Sequence, residues 1–337
     1  MSVSTKKLPK SLVEIEGEIP AEDFERHYQE ALKELNEKSS IPGFRSGHIP
    51  ENILMEKISE VAVLEHAAEH ALQENYPKIV KDNKIDAIGQ PQITITKIAR
   101  HNPLGFKIIT AILPEIKLPD YKKIASDIMR QEDEIRTEEK EIDEAVEFLR
   151  KSAKKDEKGE LPRANDEWAK NFSQPDLNSL KNLLKNNILQ DKKIKTQEKK
   201  RMETLEKISI STIIEIPDIL IQSEKEKMIS ELRSSIENMG MKWEDYLKHI
   251  KKTEEELKNS WLKEAEKRAR YALILHEIAN TEKIEPLAEE LNDFAEKAAA
   301  QYPESERQKI DKIRLKDYAY GILRNEKVFQ LFESQKQ

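Results

Sequence analysis

The chain has 337 residues, 36% of them charged, with a formal net charge of −7 and no cysteine. The acidic balance argues against a general nucleic-acid binder, whose phosphate contacts need a basic excess. The missing cysteines exclude disulfides, thiolate nucleophiles and zinc-thiolate centres. The length is a soft prior for two or three domains. Eight glycines and 6% aromatics describe a mostly helical chain with large solvated faces. The N-terminal MSVSTKKLPKSLVEIEGEIP has lysines but no apolar run after them, so it does not read as a secretory signal. No stretch approaches the ~20 apolar residues of a membrane span. The expectation is a soluble, cytoplasmic protein with no membrane partner.

In chain order, residues 12–19 alternate apolar and polar, with Val13, Ile15 and Ile19 on one face, and read as a half-buried strand ended by Pro20. Phe24, Tyr28, Ala31, Leu32 and Leu35 fall at helical spacing over 21–38. A loop, SIPGFRSGHIP, follows. Residues 51–59 and 61–81 read as helices, the second striped by Leu64, Ala67, Ala68, Ala71 and Leu72, with Pro77 expected to kink or end it. Residues 92–98 and 106–113 are strand-like. The first 118 residues therefore read as a small α+β domain.

Residues 119–337 read as helical throughout. Ile135, Ile142, Val146 and Leu149 mark a helix with Thr137 as its cap, leading into the polar bridge Lys151–Glu160. A long helix covers 177–209. Another starts at Pro217-Asp218 and ends at Gly240, a C-terminal cap. Thr253–Glu256 has the capping-box pattern before Leu257, Trp261 and Ala265. Pro286 opens a further helix and 308–333 form the last. Helices this long and this charged predict an extended, arm-like all-α domain rather than a tight bundle.

Few residues carry chemistry. His66 and His70 stand one helical turn apart with Glu69 nearby, but no third ligand is evident and the order is not that of His-Glu-x-x-His. The expectation is an exposed helix face, with no metal and no cofactor. Carboxylates at helical spacing read as solvated i,i+4 partners. There is no phosphate-binding glycine loop and no Gly-x-Ser-x-Gly elbow, so no catalytic residue is assigned. Two apolar features stand out: Met239-Gly-Met241-Lys-Trp243, and the stretch from Phe294 to Tyr302. Core packing is the more ordinary role for both. If open, Met239, Met241, Trp243 and Tyr302 are the candidate contacts for flexible apolar partners.

The loop carries more information. Prolines fix its flanks, and two of the chain's eight glycines bracket a Phe-Arg pair. Gly43-Phe44-Arg45-Ser46-Gly47-His48-Ile49-Pro50 resembles the Gly-Phe-Arg-Lys-Gly-Lys-x-Pro signature of bacterial trigger factor. The resemblance continues through Ile88–Pro91, Leu113–Ile116, Leu161-Pro162, Glu167–Lys170, the helix from Leu177, and Ile216–Ile221. It implies an α+β ribosome-binding domain over 1–118 and an extended helical client-binding domain over 119–337. It implies docking through Phe44 and Arg45 on the large ribosomal subunit near the tunnel exit, on ribosomal protein or rRNA, with Gly43, Ser46, Gly47 and His48 completing the loop. The function implied is an ATP-independent chaperone shielding unfolded nascent polypeptides, with weak homodimerisation of the free protein left open. A ribosome-independent holdase or assembly chaperone on the same scaffold is the alternative.

Two departures from the family pattern matter. Its loop lysines are Ser46 and His48 here, which removes positive charge and implies weaker, more salt-tolerant docking, or a ribosome with a different contact surface. Family members also usually carry an FKBP-like prolyl isomerase domain where this chain has only 151–160. About ten residues cannot form a domain, so no isomerase activity is expected.

Overall fold

The computed structural model describes residues 1–153, 161–300 and 311–336. By packing, these residues form two compact units: Met1–Lys117 with Ile213–Arg270, and Leu118–Thr212 with Tyr271–Gln337. The chain thus leaves the first unit where the sequence changes character, near residue 118, but returns to it for 213–270.

The first unit is built on a four-stranded antiparallel sheet of order β1-β2-β4-β3: β1 is Ser2–Leu8, β2 Leu12–Ile19, β3 Ala87–Lys97 and β4 Leu104–Ile112. The sequence pattern did not disclose β1. It is a polar edge strand, SVSTKKL, with no apolar alternation to betray it. β3 begins five residues earlier than its β-branched run, and register shifts interrupt its pairing with β4. β2 and β4 are in register at Ile15–Ile108 and Ile19–Leu104, which sets both pairs on one face. That face is covered by α1 (Ala21–Lys38) and α3 (Glu60–Asp82), with the short α2 (Glu51–Lys57) between them in sequence. Phe24, Tyr28 and Ala31 of α1 and Val63, Ala67, Ala68 and Ala71 of α3 join Ile15, Ile19, Phe106 and Ile108 in one core. Pro77 does not end α3; the helix runs on to Asp82, forgoing one backbone hydrogen bond.

The returning segment starts with α8 (Asp218–Asn238), α9 (Trp243–Ile250) and α10 (Glu254–Ser260). The β1–β2 turn holds its beginning. The Lys10 amide donates to Glu215 Oε2 at 2.8 Å, the Lys10 ammonium pairs with Asp218 at 2.9 Å, and Ser11 Oγ donates to the Glu215 carbonyl at 2.9 Å. Gly89 of β3, at φ 68°, faces Ile219; a Cβ there would lie 2.0 Å from Ile219 Cδ1, so a larger residue would be strained by its backbone angle and would force the Ile219 side chain to move.

The second unit is helical: α4 (Tyr121–Met129), α5 (Glu139–Ser152), α6 (Asp166–Ala169), α7 (Leu177–Ser211), the end of α11 (Leu262–Thr281), α12 (Ala288–Ala300) and α13 (Lys312–Ser334). Leu205 and Ile208 of α7, Ile274 and Ile278 of α11, and Val328 and Phe332 of α13 form its main core around Ala125 and Met129. Arg201 donates to both carboxylate oxygens of Glu326, at 2.8 and 2.9 Å, and to Glu333, tying α7 to α13. Tyr121 donates to Glu282 at 2.5 Å; burial and that carboxylate push its hydroxyl up to about 12. A smaller core of Val146, Trp168, Ala169 and Leu180 holds α5 to α6 and α7. The cap of α5 is Glu138, not Thr137: Glu138 and Glu141 form a reciprocal capping box, while Thr137 donates to the Lys185 carbonyl. Likewise α10 ends at Ser260, capped by Trp261, and α11 starts anew at Leu262, where the sequence pattern predicts one helix. Most of the polar bridge 151–160 lies outside the described residues. Among the described residues, no helix is long and apolar enough to cross a membrane.

One buried polar group gives the first unit a pH response. His27 of α1 is 1% exposed, and Arg26 donates to its Nε2 at 3.1 Å, which requires a neutral ring. Burial, then Arg26, hold its pKa below the usual 6.5, with His70 acting the same way and Glu30 and Glu74 pulling back. The unfolded chain therefore takes up a proton below pH 6.5 that the folded one resists, and stability is lost as pH falls through that range. The expected slope is up to about 1.4 kcal/mol per pH unit. Denaturation midpoints measured between about pH 5 and 7 should fall less steeply for His27→Gln than for the native chain; equal slopes would show that His27 does not carry the effect.

Candidate docking loop and apolar surfaces

The loop between α1 and α2 is two consecutive turns. Phe44 N–H donates to the Ile41 carbonyl at 3.1 Å, and His48 N–H to the Arg45 carbonyl at 3.0 Å. Gly43 (φ 91°) and Gly47 (φ 82°) each take the third position of their turn, where a positive φ is needed. Pro42 pre-sets the position before Gly43. A Cβ on Gly43 would meet nothing within 4 Å, so its glycine answers to backbone conformation alone.

Phe44 and Arg45 stand at the junction of the two turns. The Phe44 side chain is exposed, as is Arg45, whose guanidinium has no carboxylate partner among the described residues. His48 is also exposed. Ser46 is used within the loop, its hydroxyl donating to the Ser39 carbonyl at 3.2 Å.

The base of the loop is fixed by a residue that the sequence did not single out. Asn36 of α1 donates through Nδ2 to the Ile49 carbonyl at 2.7 Å and accepts from Ile49 N–H at 3.1 Å; its own carbonyl accepts from Gly47 N–H at 3.1 Å. Ile49 itself is buried. Asn36 thus pins the loop's far end to the helix from which the loop departs. An asparagine late in a helix, with Gly and Pro ahead of it, carried that signal, but the pairing is non-local. Lys57 adds a cation near the loop, reaching the Ser40 carbonyl at 3.5 Å.

The two apolar features in the helices separate. Met239 caps α8, and the turn is a Schellman motif: Gly240 N–H donates to Glu237 and Met241 N–H to Ile236, with Gly240 at φ 80°. Met239 is 70% exposed and Met241 46%. Trp243 is buried. It stacks on Tyr246 at 5.6 Å, lies 5.1 Å from the Arg233 guanidinium, and donates to Glu254 at 3.0 Å. Of the two roles the sequence left to this residue, core packing is the one it takes, and Trp243 is withdrawn from the candidate client contacts: the ring is the core of the turn that displays the methionines. Tyr302 lies outside the described residues. Phe294 of α12 sits 6.4 Å from Tyr318 of α13, and Tyr318, Ile313 and Ile322 of α13 and Leu287 beside the start of α12 are exposed apolar side chains, of which the sequence marked none.

His66 and His70 are not on a fully exposed helix face. α1 partly covers them, and Glu34 Oε2 lies 3.3 Å from His66 Nε2 and 3.8 Å from His70 Nε2. Burial works to raise the Glu34 pKa, but the His66 hydrogen bond, the His70 charge and Lys38 outweigh it and hold the carboxylate below its usual range. Glu69, the carboxylate nearest in sequence, instead accepts from Gln73 at 3.3 Å.

Residues 1–149 match the family model of bacterial trigger factor protein, and residues 176–332 match that of the bacterial trigger factor C-terminus. The trigger factor of Pelotomaculum thermopropionicum is 25% identical, over 99% of this chain and 97% of the relative. That of Clostridium kluyveri is 23% identical, over 98% of each. The first alignment runs to 427 positions against 337 residues here, so the relative contains residues with no counterpart in this chain. A solved structure of the trigger factor chaperone, described for promiscuous substrate recognition in folding and assembly, shares the fold with TM-score 0.58 at 19% identity, over 100% of both chains. Fold and matches together define a molecular chaperone. The chain belongs to the bacterial trigger factor family.

Asn36→Ala should remove both side-chain bonds to Ile49, cost about 1–3 kcal/mol, and speed amide exchange over residues 41–49 with the rest of the unit unchanged. Hydrogen exchange read by mass spectrometry checks this; native-like protection of the loop would show that the turns hold without their anchor.

Proposed function

We propose that the protein is an ATP-independent chaperone of the cytoplasm that docks on the large ribosomal subunit near the tunnel exit and shields nascent polypeptides. The observation that carries this reading is the Phe44-Arg45 tip, displayed by two glycine turns and anchored by Asn36. A ring of that size fills an apolar niche, and an unpaired guanidinium forms paired hydrogen bonds with a carboxylate or phosphate of the partner. Residues 1–118 serve as the docking domain. The helices of 119–337 supply client contacts, at Met239 and Met241 and on the α12–α13 surface. Contacts of this kind are individually weak and adaptable, so folding outcompetes binding once a client can bury its own apolar groups. No nucleotide is required, and no prolyl isomerase activity accompanies the chaperone.

Ser46 gives a reason to weigh the alternative, a holdase working away from the ribosome. Its hydroxyl is engaged inside the loop and offers no charge to the partner.

Ribosomes sedimented at moderate salt should carry the native chain down, and Phe44→Ala/Arg45→Ala should weaken that association at least about tenfold, roughly 1.4 kcal/mol. If neither chain pellets, docking is excluded and the ribosome-independent reading stands. In a refolding assay limited by prolyl isomerisation, the chain should suppress aggregation and leave the slow phase at its uncatalysed rate. Met239→Ser/Met241→Ser should weaken that suppression roughly two- to tenfold, the scale of one or two partly buried apolar side chains. Undiminished suppression would remove this turn from the client surface, and an accelerated slow phase would refute the absence of isomerase activity.

A further inference from the structure

Glu34, His66 and His70 lie on the rim of the α1–α3 interface, with one donor atom from each within 4.8 Å of the others. Nothing in the docking or client-binding reading uses them. His66 and His70 project from one face of α3 a turn apart, their ring centroids 4.5 Å from each other. Glu34 reaches them from α1, and a single oxygen, Oε2, faces both imidazoles at 3.3 and 3.8 Å.

We propose that these three side chains form a binding site for a divalent cation of the zinc class. Zinc holds imidazole nitrogens and carboxylate oxygens at about 2.0–2.2 Å, which in a tetrahedron sets ligand atoms roughly 3.3–3.5 Å apart. The His66–Glu34 distance already has that value, and the His70–Glu34 distance needs a shift of a few tenths of an ångström. Two imidazoles and one carboxylate suit Zn²⁺, Co²⁺ or Ni²⁺ and disfavour Mg²⁺ and Ca²⁺, which take oxygen ligands. The backbone is already in place, because both helices are clamped by the core below: Ala31 of α1 and Ala67 and Ala71 of α3 are fully buried there. The side chains themselves remain accessible, at 25% for His66, 27% for His70 and 42% for Glu34, so an ion can enter and a fourth position faces solvent. Lys38, which pairs with the same Glu34 oxygen at 3.5 Å, is 69% exposed and free to turn away. An ion held here bridges α1 to α3 two residues before Asn36, and so braces the helix end from which the docking loop departs.

The test uses the untagged, metal-free full chain. Zn²⁺ is titrated against a chromophoric chelator, Co²⁺ is followed by its visible absorption, and thermal unfolding is recorded with and without Zn²⁺. The expected result is one ion per chain, a Co²⁺ spectrum of nitrogen and oxygen ligation, and a higher unfolding temperature with Zn²⁺. Glu34→Gln and His66→Gln/His70→Gln should each weaken binding by at least the roughly 10- to 100-fold that even loss of an outer-shell partner costs at metal sites. His48→Gln/His101→Gln, which removes two histidines elsewhere, should bind as the native chain does. Uptake that is equal in the native chain and in His66→Gln/His70→Gln overturns the site, and so does the absence of uptake at tens of micromolar Zn²⁺. Circular dichroism of each variant separates loss of ligands from loss of fold.

Discussion

The close approach of α1 to α3 over the sheet is the constraint on which the first unit depends. Ala31 on one side and Ala67, Ala68 and Ala71 on the other are buried in the shared core and small enough to let the helices come close. Phe24 and Tyr28 can then reach Ile15, Ile19, Phe106 and Ile108 in the sheet below. Because interiors of this density transmit small displacements rather than absorbing them, the end of α1 is fixed relative to α3. The loop that carries Phe44 and Arg45 starts at that end. Its geometry is set first by helix packing, next by Asn36, and only then by its own glycines.

The helical segments show how stability and display divide between neighbouring residues. At the end of α8, Trp243 is withdrawn under Arg233 and against Tyr246, with its N–H on Glu254. The Schellman turn next to it leaves Met239 and Met241 in solvent. A rigid aromatic is spent on holding the turn, and flexible thioethers are left for the outside. The loop repeats the division. Ile49 is buried and Asn36 bonded, so that Phe44 and Arg45 need no support of their own. In both places a surface side chain is free because its sequence neighbour is not.

Much of this was legible in the sequence, wherever the signal was periodic or local. The spacing of Phe24, Tyr28 and Ala31 marked α1, the Thr253–Glu256 box marked α10, and glycines beside Phe44 and Arg45 marked the turns. What escaped depended on residues distant in the chain. β1 has no pattern because it is a polar edge whose order comes from pairing with β2. The return of 213–270 to the first unit rests on Lys10 and Ser11 meeting Glu215 and Asp218, some 200 positions away. The sequence leaves Trp243 between core and client contact because its burial depends on Arg233 and Glu254 together.

The histidine pair shows the same limit at a single site. Within α3, His66 and His70 offer two ligands, and Glu69, the acidic residue beside them, is turned to Gln73. The third donor stands 32 positions earlier, and only the packing of α1 on α3 brings its oxygen within 3.3 Å of His66. The packing of α1 on α3 that makes the core also makes this cluster, since it brings Glu34 beside His66 and His70. Core packing, loop anchorage and the candidate ligand set are therefore one arrangement, not three. A change that separates α1 from α3 by an ångström disturbs all of them together, whereas a change at Phe44 or Arg45 disturbs the loop tip alone.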